Sequence, residues 1–275
     1  MAIRGKRASP DQYFWSGDFF ARLSHLKTRL YQILMKGTFH IVGVGPGDPE
    51  LITLKAVRVL KNCPVWLTPA AQKDGNSTAL SIASGSVDPK DKTILIHHFP
   101  MKKIHMGKIP DPEVQKAWQE AATLINEQLN NGLDVALPTL GDPAIYCTGF
   151  YVYETLLQLN PETSITVIPG ISAIGATAAA ANTPICLGDD RVAVIPAIFE
   201  SDKIKDILQQ FEAVVFMKVY KAMDRMVPLL EELDLLDNAV LVERTSMKGE
   251  RVHHDVRATV GMDLHYFSTL VVRKS

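Results

Sequence analysis

The sequence predicts an α/β protein of two domains, and three observations carry that reading. Strand-like and helix-like runs alternate from Thr38 onward, the pattern of a largely parallel sheet with helices packed on it. Residues 41–56, IVGVGPGDPELITLKA, pass from a short apolar strand through a glycine-rich turn into a helix start. The second half carries more strands for its length and ends on one, so a mixed sheet is expected there.

Taken in order, Phe39, Ile41, Val42 and Val44 make residues 39–44 a buried strand. Asp48 stands where a helix N-cap belongs, and Pro49 where a first helical turn tolerates proline. Leu51, Leu54, Val57 and Leu60 then recur at helical spacing and predict one apolar face. Further strands are expected at 64–67, 93–99 and 134–137. The clearest helix spans 113–131. Val114, Ala117, Trp118, Ala121, Ile125 and Leu129 share its face, Asp111 and Pro112 signal its start, and Gly132 its stop. A second long helix is expected from Pro143 to Asn160, capped by Asp142. Beyond the break at Asn160-Pro161, strands are expected at 165–168, 192–195, 213–217, 239–243 and 268–272, with leucine-rich helices such as 224–235 between them. The break sets the expected domains at 35–160 and 161–275. Residues 1–34 read as an N-terminal extension, too often interrupted by charge for a secretory segment, with Leu23, Leu26, Leu30, Ile33 and Leu34 at helical spacing.

Apolar residues make up 47% of the chain, enough for a proper core, and no run of about twenty of them exists to span a membrane. The net charge of −1 gives no global reason to expect nucleic acid. Cys63, Cys147 and Cys186 are odd in number and widely spaced, so neither a disulfide framework nor a metal site is expected. A reducing cytoplasm is the expected compartment.

The glycine-rich turn departs from the dinucleotide fingerprint. After Gly43 and Gly45 the third glycine would fall at position 48, which is Asp48. Pro46 removes a backbone N–H that an anion would use, and Asp48 adds negative charge. A neutral or cationic ligand suits this loop, the alternative being a tight turn with no ligand. Four more stretches stand at strand ends. VALPTLGDPAIY (135–146) turns at Gly141. VIPGISAIGATAAAA (167–181) turns at Pro169-Gly170 into a helix of very small residues. AVVFMK (213–218) and AVLVERTS (239–246) end strands at Met217 and at Glu243-Arg244-Thr245.

With those loops in their order, the chain from Met35 to its end resembles the tetrapyrrole methylase family, S-adenosylmethionine-dependent enzymes of cobalamin and sirohaem synthesis. The resemblance implies two α/β domains with the cofactor folded into the cleft between them, and a homodimer. By position it implies cofactor contacts at Pro46, Leu140, Gly141, Asp142, Ile145, Ser172, Ala173, Met217 and Thr245. Within the family, HHFPM (97–101), GDPAIYCT (141–148), DDRVAVIPA (189–197), MKVYKAMDRM (217–226), VERTSMKGERV (242–252) and YFSTLVV (266–272) resemble the branch that methylates C20 of precorrin-2 or its cobalt-loaded counterpart. Cys147 stands where serine is usual, and Thr245-Ser246 where Ala-Gly is usual.

Such a reaction asks the protein mainly to position two reactants in a dry cleft. Tyr146 is the expected orienting or proton-handling group. A substrate rich in carboxylates implicates cations on loops, with Lys102, Lys103, Arg191 and Arg244 as candidates. His97, His98 and His105 could approach a bound cobalt, but adjacent strand histidines point to opposite faces. The competing readings are a same-fold methylase acting on another tetrapyrrole position, on RNA or on protein, and an NAD-dependent oxidoreductase.

Overall fold

A computed structural model describes residues 36–70, 77–100, 102, 104, 107–197 and 199–274. The expected extension at 1–34, Lys103 and His105 lie outside the described residues.

Five strands form the first sheet: β1 (Phe39–Gly43), β2 (Val65–Ala70), β3 (Thr93–His98), β4 (Val135–Thr139) and β5 (Ile165–Ile168). Their order is β3-β2-β4-β1-β5 and every pairing is parallel. A parallel sheet needs cover on both faces, which is why β1 and β4 read as continuous apolar runs. On one face α1 (Leu54–Asn62) and α2 (Thr78–Ser86) bury Ala56, Leu60, Ile82 and Ala83 against Val42, Trp66 and Ala136. On the other, α3 (Pro112–Asn130) and α4 (Gly149–Leu159) bury Ala121, Ile125, Leu129, Val152 and Leu156 against Phe39, Ile41 and Leu67.

The second sheet is mixed, as its strand-rich sequence requires. Strands β6 (Val192–Pro196), β7 (Ala213–Met217), β8 (Ala239–Glu243), β9 (Arg251–His253) and β10 (Ser268–Arg273) lie in the order β6-β7-β10-β8-β9. Only β6 and β7 run parallel. Helices α6 (Ser201–Gln210) and α7 (Met223–Glu232) close one face through Ile204, Leu208, Met226 and Leu230. The other face is closed by α5 (Ala173–Ala180), whose Ile174 packs with Val215, Val240 and Val271.

Three expectations change in physical detail. The break at Asn160-Pro161 falls within the first sheet, because β5 pairs with β1 from Phe39↔Ile165 to Val42↔Ile168. The chain crosses to the second sheet only between Ile168 and α5. The helix expected from Pro143 begins instead at Gly149, because Tyr146 takes a left-handed φ of 51° that no α-helix accommodates. In place of helical bonds, Ala144 N–H donates to Asp142 Oδ1 at 2.7 Å and Gly149 N–H to Cys147 Sγ at 3.1 Å. Finally, Asp48 caps the 3-10 turn Pro49–Leu51, while Thr53 caps α1, so the first helix starts a turn later and Leu54 is 89% exposed.

Candidate active site

The carboxyl ends of β1, β4 and β5 converge through glycines packed on one another. A Cβ on Gly170 would stand 2.3 Å from Gly141 O, and one on Gly43 would stand 2.7 Å from Gly170 N. These glycines let three loops touch, backbone on backbone. Gly45 and Gly141 add a reciprocal pair of bonds, N–H to O at 3.4 and 2.7 Å. Gly170 N–H donates to Asp142 Oδ2 at 3.0 Å, so Asp142 ties its own loop to the Pro169-Gly170 turn. Val44 N–H goes to Thr139 O at 2.9 Å, and Pro46 has no N–H. Pro46 thus leaves a gap among the donors of the first turn, and the N–H groups of Val44, Gly45, Gly141 and Gly170 are already engaged.

Between this glycine knot and the second sheet lies a cleft. Pro46, Leu140, Gly141, Asp142, Ile145 and Tyr146 line it from the first sheet; Ser172 and Ala173 follow from the crossover; Met217 and Thr245 stand opposite at the ends of β7 and β8. The structure therefore brings together all nine expected cofactor residues and Tyr146. Several have their polar atoms fixed by the fold. Ser172 caps α5, its Oγ accepting from Gly175 N–H at 3.4 Å. Thr245 Oγ1 lies 3.0 Å from Thr177 Oγ1 in a buried hydroxyl pair. Tyr146 Oη donates to Val194 O at 3.2 Å and so reaches across to β6 of the second sheet. Partial burial pushes the Tyr146 phenol above its ordinary pKa.

The sequence did not single out several lining residues. Lys218 is the most distinctive, with φ 61° and its Nζ 5.9 Å from the centre of the Tyr146 ring. Desolvation holds its ammonium below the ordinary lysine pKa. Met247, Tyr266 and Phe267 add apolar surface. Cys147 also lines the cleft; burial raises its thiol pKa, and its Sγ lies 3.1 Å from Thr139 Oγ1. Only a left-handed backbone tendency could have marked Lys218, and lysine does not advertise one.

The expected substrate cations separate. Lys102 pairs with Asp111 at 2.9 Å and Glu113 at 2.7 Å at the start of α3, and Arg191 forks onto Glu212 through bonds of 3.0 and 2.7 Å. Neither lines the cleft. Arg244 does face a cavity, beside the first one, together with Lys221, Arg251, His265 and Tyr266. His97 turns to α3, its Nε2 2.9 Å from Ala117 O. Away from the cleft, His40, Cys63 and Asp134 gather with their polar atoms within 4.8 Å of one another. Among the described residues no helix is long and apolar enough to cross a membrane.

The sequence profile described as Tetrapyrrole (Corrin/Porphyrin) Methylases matches residues 38–260. The chain belongs to this family. It is 30% identical over 241 residues to the cobalt-precorrin-2 C(20)-methyltransferase of Salmonella typhimurium, a match covering 87% of this chain and 98% of that one. It is 31% identical over 209 residues to the precorrin-2 C(20)-methyltransferase of a Sinorhizobium species, covering 75% and 83% of the two chains. Among solved structures, the uroporphyrin-III C-methyltransferase of Thermus thermophilus complexed with S-adenosyl homocysteine superposes with a TM-score of 0.59 at 20% identity, covering 86% of this chain and 98% of that one. That likeness is one of fold.

Proposed function

We propose that this chain is an S-adenosylmethionine-dependent C-methyltransferase that methylates C20 of precorrin-2 or its cobalt-loaded counterpart in cobalamin biosynthesis. The observation that carries the reading is the cleft: loops far apart in sequence deliver ten expected residues to one cavity. The chemistry of the wall agrees with a sulfonium cofactor. Pro46 removes a donor from the first loop, the N–H groups of Gly45, Gly141 and Gly170 are engaged, Asp142 supplies negative charge, and Leu140, Ile145 and Met217 supply apolar surface for a flat adenine. The similarity of about 30% to two C20-methyltransferases, spread over most of both chains, supports the position on the macrocycle. It supports the cobalt-containing and metal-free acceptors equally.

When bound, the cofactor supplies an already activated methyl group. The residues of this chain then have to hold the two partners in line and keep water out. Pro46, Gly141, Asp142, Ser172, Ala173, Met217 and Thr245 form the cofactor's walls in this reading. Tyr146, bonded across to Val194, is the orienting group between the two sheets. A homodimer in the cytoplasm belongs to the same proposal and is read out by ultracentrifugation.

The test incubates purified full chain with methyl-labelled S-adenosylmethionine and precorrin-2, with and without cobalt. Label recovered at C20 supports the proposal, and the better acceptor names the substrate. Label at another ring position would move the chain to a different branch of the family. Absence of transfer to any tetrapyrrole would overturn the reading.

A further inference from the structure

A second cavity opens beside the cofactor cleft, and its charge is unbalanced. Lys221, Arg244 and Arg251 line it against a single carboxylate, Asp263. Arg251 is already neutralised, because its guanidinium grips the fully buried Glu243 at 2.6 and 2.9 Å. Lys221 has only the Tyr220 ring beneath its ammonium, 5.3 Å from the centroid, and no carboxylate pairs with it among the described residues. Arg244 is more telling. Its Nε is buried and makes no hydrogen bond among the described residues. An unmade bond of this kind on a charged group is costly, and the same side chain borders the cavity, where an acceptor would offset that cost. The backbone of Arg244 is held at a φ of 53°, fixed by N–H donation to Phe267 O at 2.7 Å, and strain of this sort clusters where ligands are clamped.

The two cavities are built from the same chain segments. Lys218 and Lys221 belong to one turn, Thr245 and Arg244 are neighbours, and Tyr266 lines both spaces. A rigid ligand wide enough to bridge them would place one end against the cofactor and the other among the cations. We propose that this second cavity is a carboxylate subsite, in which Arg244 and Lys221 take an acidic side arm of the macrocyclic substrate and thereby set which edge of the ring meets the methyl donor. The proposal rests on the tetrapyrrole reading above. Arg244 supplies the fork that matches a carboxylate, and Lys221 a mobile point charge.

The test uses uroporphyrin I, an octacarboxylate porphyrin, as probe, with binding followed by its fluorescence in saturating S-adenosylhomocysteine. Arg244→Gln and the exposed Lys221→Gln are each expected to weaken binding at least tenfold and to leave S-adenosylhomocysteine affinity unchanged, which also certifies the fold. Lys116→Gln, the same charge change on the exposed face of α3, is the control. Wild-type affinity in both cavity variants would overturn the subsite while leaving the tetrapyrrole reading intact. An equal loss in Lys116→Gln would reduce the effect to overall charge and overturn it as well. A wild-type chain that binds S-adenosylhomocysteine but no porphyrin would overturn the acceptor reading and the subsite with it.

Discussion

On the first-sheet side of the cleft, Gly43, Gly141 and Gly170 pack backbone on backbone, with Tyr146 the exception at a left-handed φ, whereas on the second-sheet side Lys218 and, beside the cleft, Arg244 are non-glycine residues at left-handed φ. One wall is made by removing side chains so that loops can touch. The other is made by spending conformational strain to aim side chains. A wall of backbone offers fixed shape and little chemical choice, which suits a cofactor common to many relatives. A wall of aimed cations offers recognition of one acceptor. On the function proposed above, in which Met217 and Thr245 are the cofactor contacts of the second side, acceptor choice falls to that side's cations, and mutations on the two sides should separate it from cofactor binding.

The largest effect is expected where the glycine wall is tightest. Gly170→Ala forces a Cβ to within 2.3 Å of a carbonyl oxygen that cannot swing away. A stability loss of about 3 kcal/mol is expected from overpacking. S-adenosylhomocysteine affinity should fall at least tenfold, measured by calorimetry at a temperature where the variant is folded. Wild-type affinity would show that the knot does not shape the cofactor wall.

The second wall should break by acid instead. Burial alone would raise the carboxyl pKa of Glu243, but donation from His265 N–H, Arg251 and His253 outweighs it and the pKa lies below the ordinary glutamate value. A depressed carboxyl contributes stability above its unfolded pKa of about 4.3 and loses it as pH falls through the folded value. Glu243→Gln should cost about 2 kcal/mol near neutral pH, since the buried group loses its charge and one of the acceptor oxygens that serve Arg251, His253 and His265 N–H. The gap between variant and wild-type melting temperatures should narrow as pH falls below the unfolded value. A gap constant with pH would mean the charge is not what holds β8, β9 and the turn at His265 together.

The contrast also explains what could be read from sequence. Period and caps revealed α3, because Asp111 caps it and Val114, Ala117, Ala121, Ile125 and Leu129 are all buried. The five loop motifs converge on one cleft, because each sits directly after a strand. The span 143–148 reads as helix in the sequence, since Asp142 and Pro143 signal a helix start and a turn closed by Asp142 and Cys147 side chains equally well. Sheet membership of β5 was hidden, because pairing between residues 39 and 165 leaves no local trace. The cation wall was the least legible. Residue type alone suggests Lys102 and Arg191 as strongly as Arg244, and only the fold gives the first two their carboxylate partners. Nothing local marks Lys218 and Lys221, because their aiming depends on the left-handed backbone at Lys218 and on neighbouring rings.

A smaller effect sharpens the role of charge on the cofactor side. Asp142→Asn keeps an acceptor for one of the two N–H groups it now serves, so stability should fall by no more than about 1 kcal/mol. The cationic S-adenosylmethionine should lose about tenfold in affinity, the scale of one partly screened charge contact, while neutral-sulfur S-adenosylhomocysteine should lose little. Equal losses for the two ligands would show that Asp142 acts only by holding loops.

The smallest expected effect lies on a hydrogen bond that, among the described residues, joins the walls directly. Tyr146 Oη donates to Val194 O, is half exposed, and belongs to a phenol whose pKa burial raises. A group whose proton is already engaged and tightly held is a poor acceptor for another, so orientation is its expected role. Tyr146→Phe removes the bond and keeps the ring under Lys218, and the melting temperature should reflect a loss of about 0.5 kcal/mol. The methyl-transfer kcat should change less than threefold, whereas Tyr146→Ala, which removes the ring as well, should raise KM for the acceptor. General acid–base catalysis contributes about 10²–10⁴-fold, so a hundredfold fall in kcat for Tyr146→Phe at unchanged KM would make this residue the proton carrier instead. The left-handed backbone at Tyr146 would then be the strained element that presents a catalytic hydroxyl, and the division between a backbone wall for the cofactor and a side-chain wall for the acceptor would no longer hold at that point.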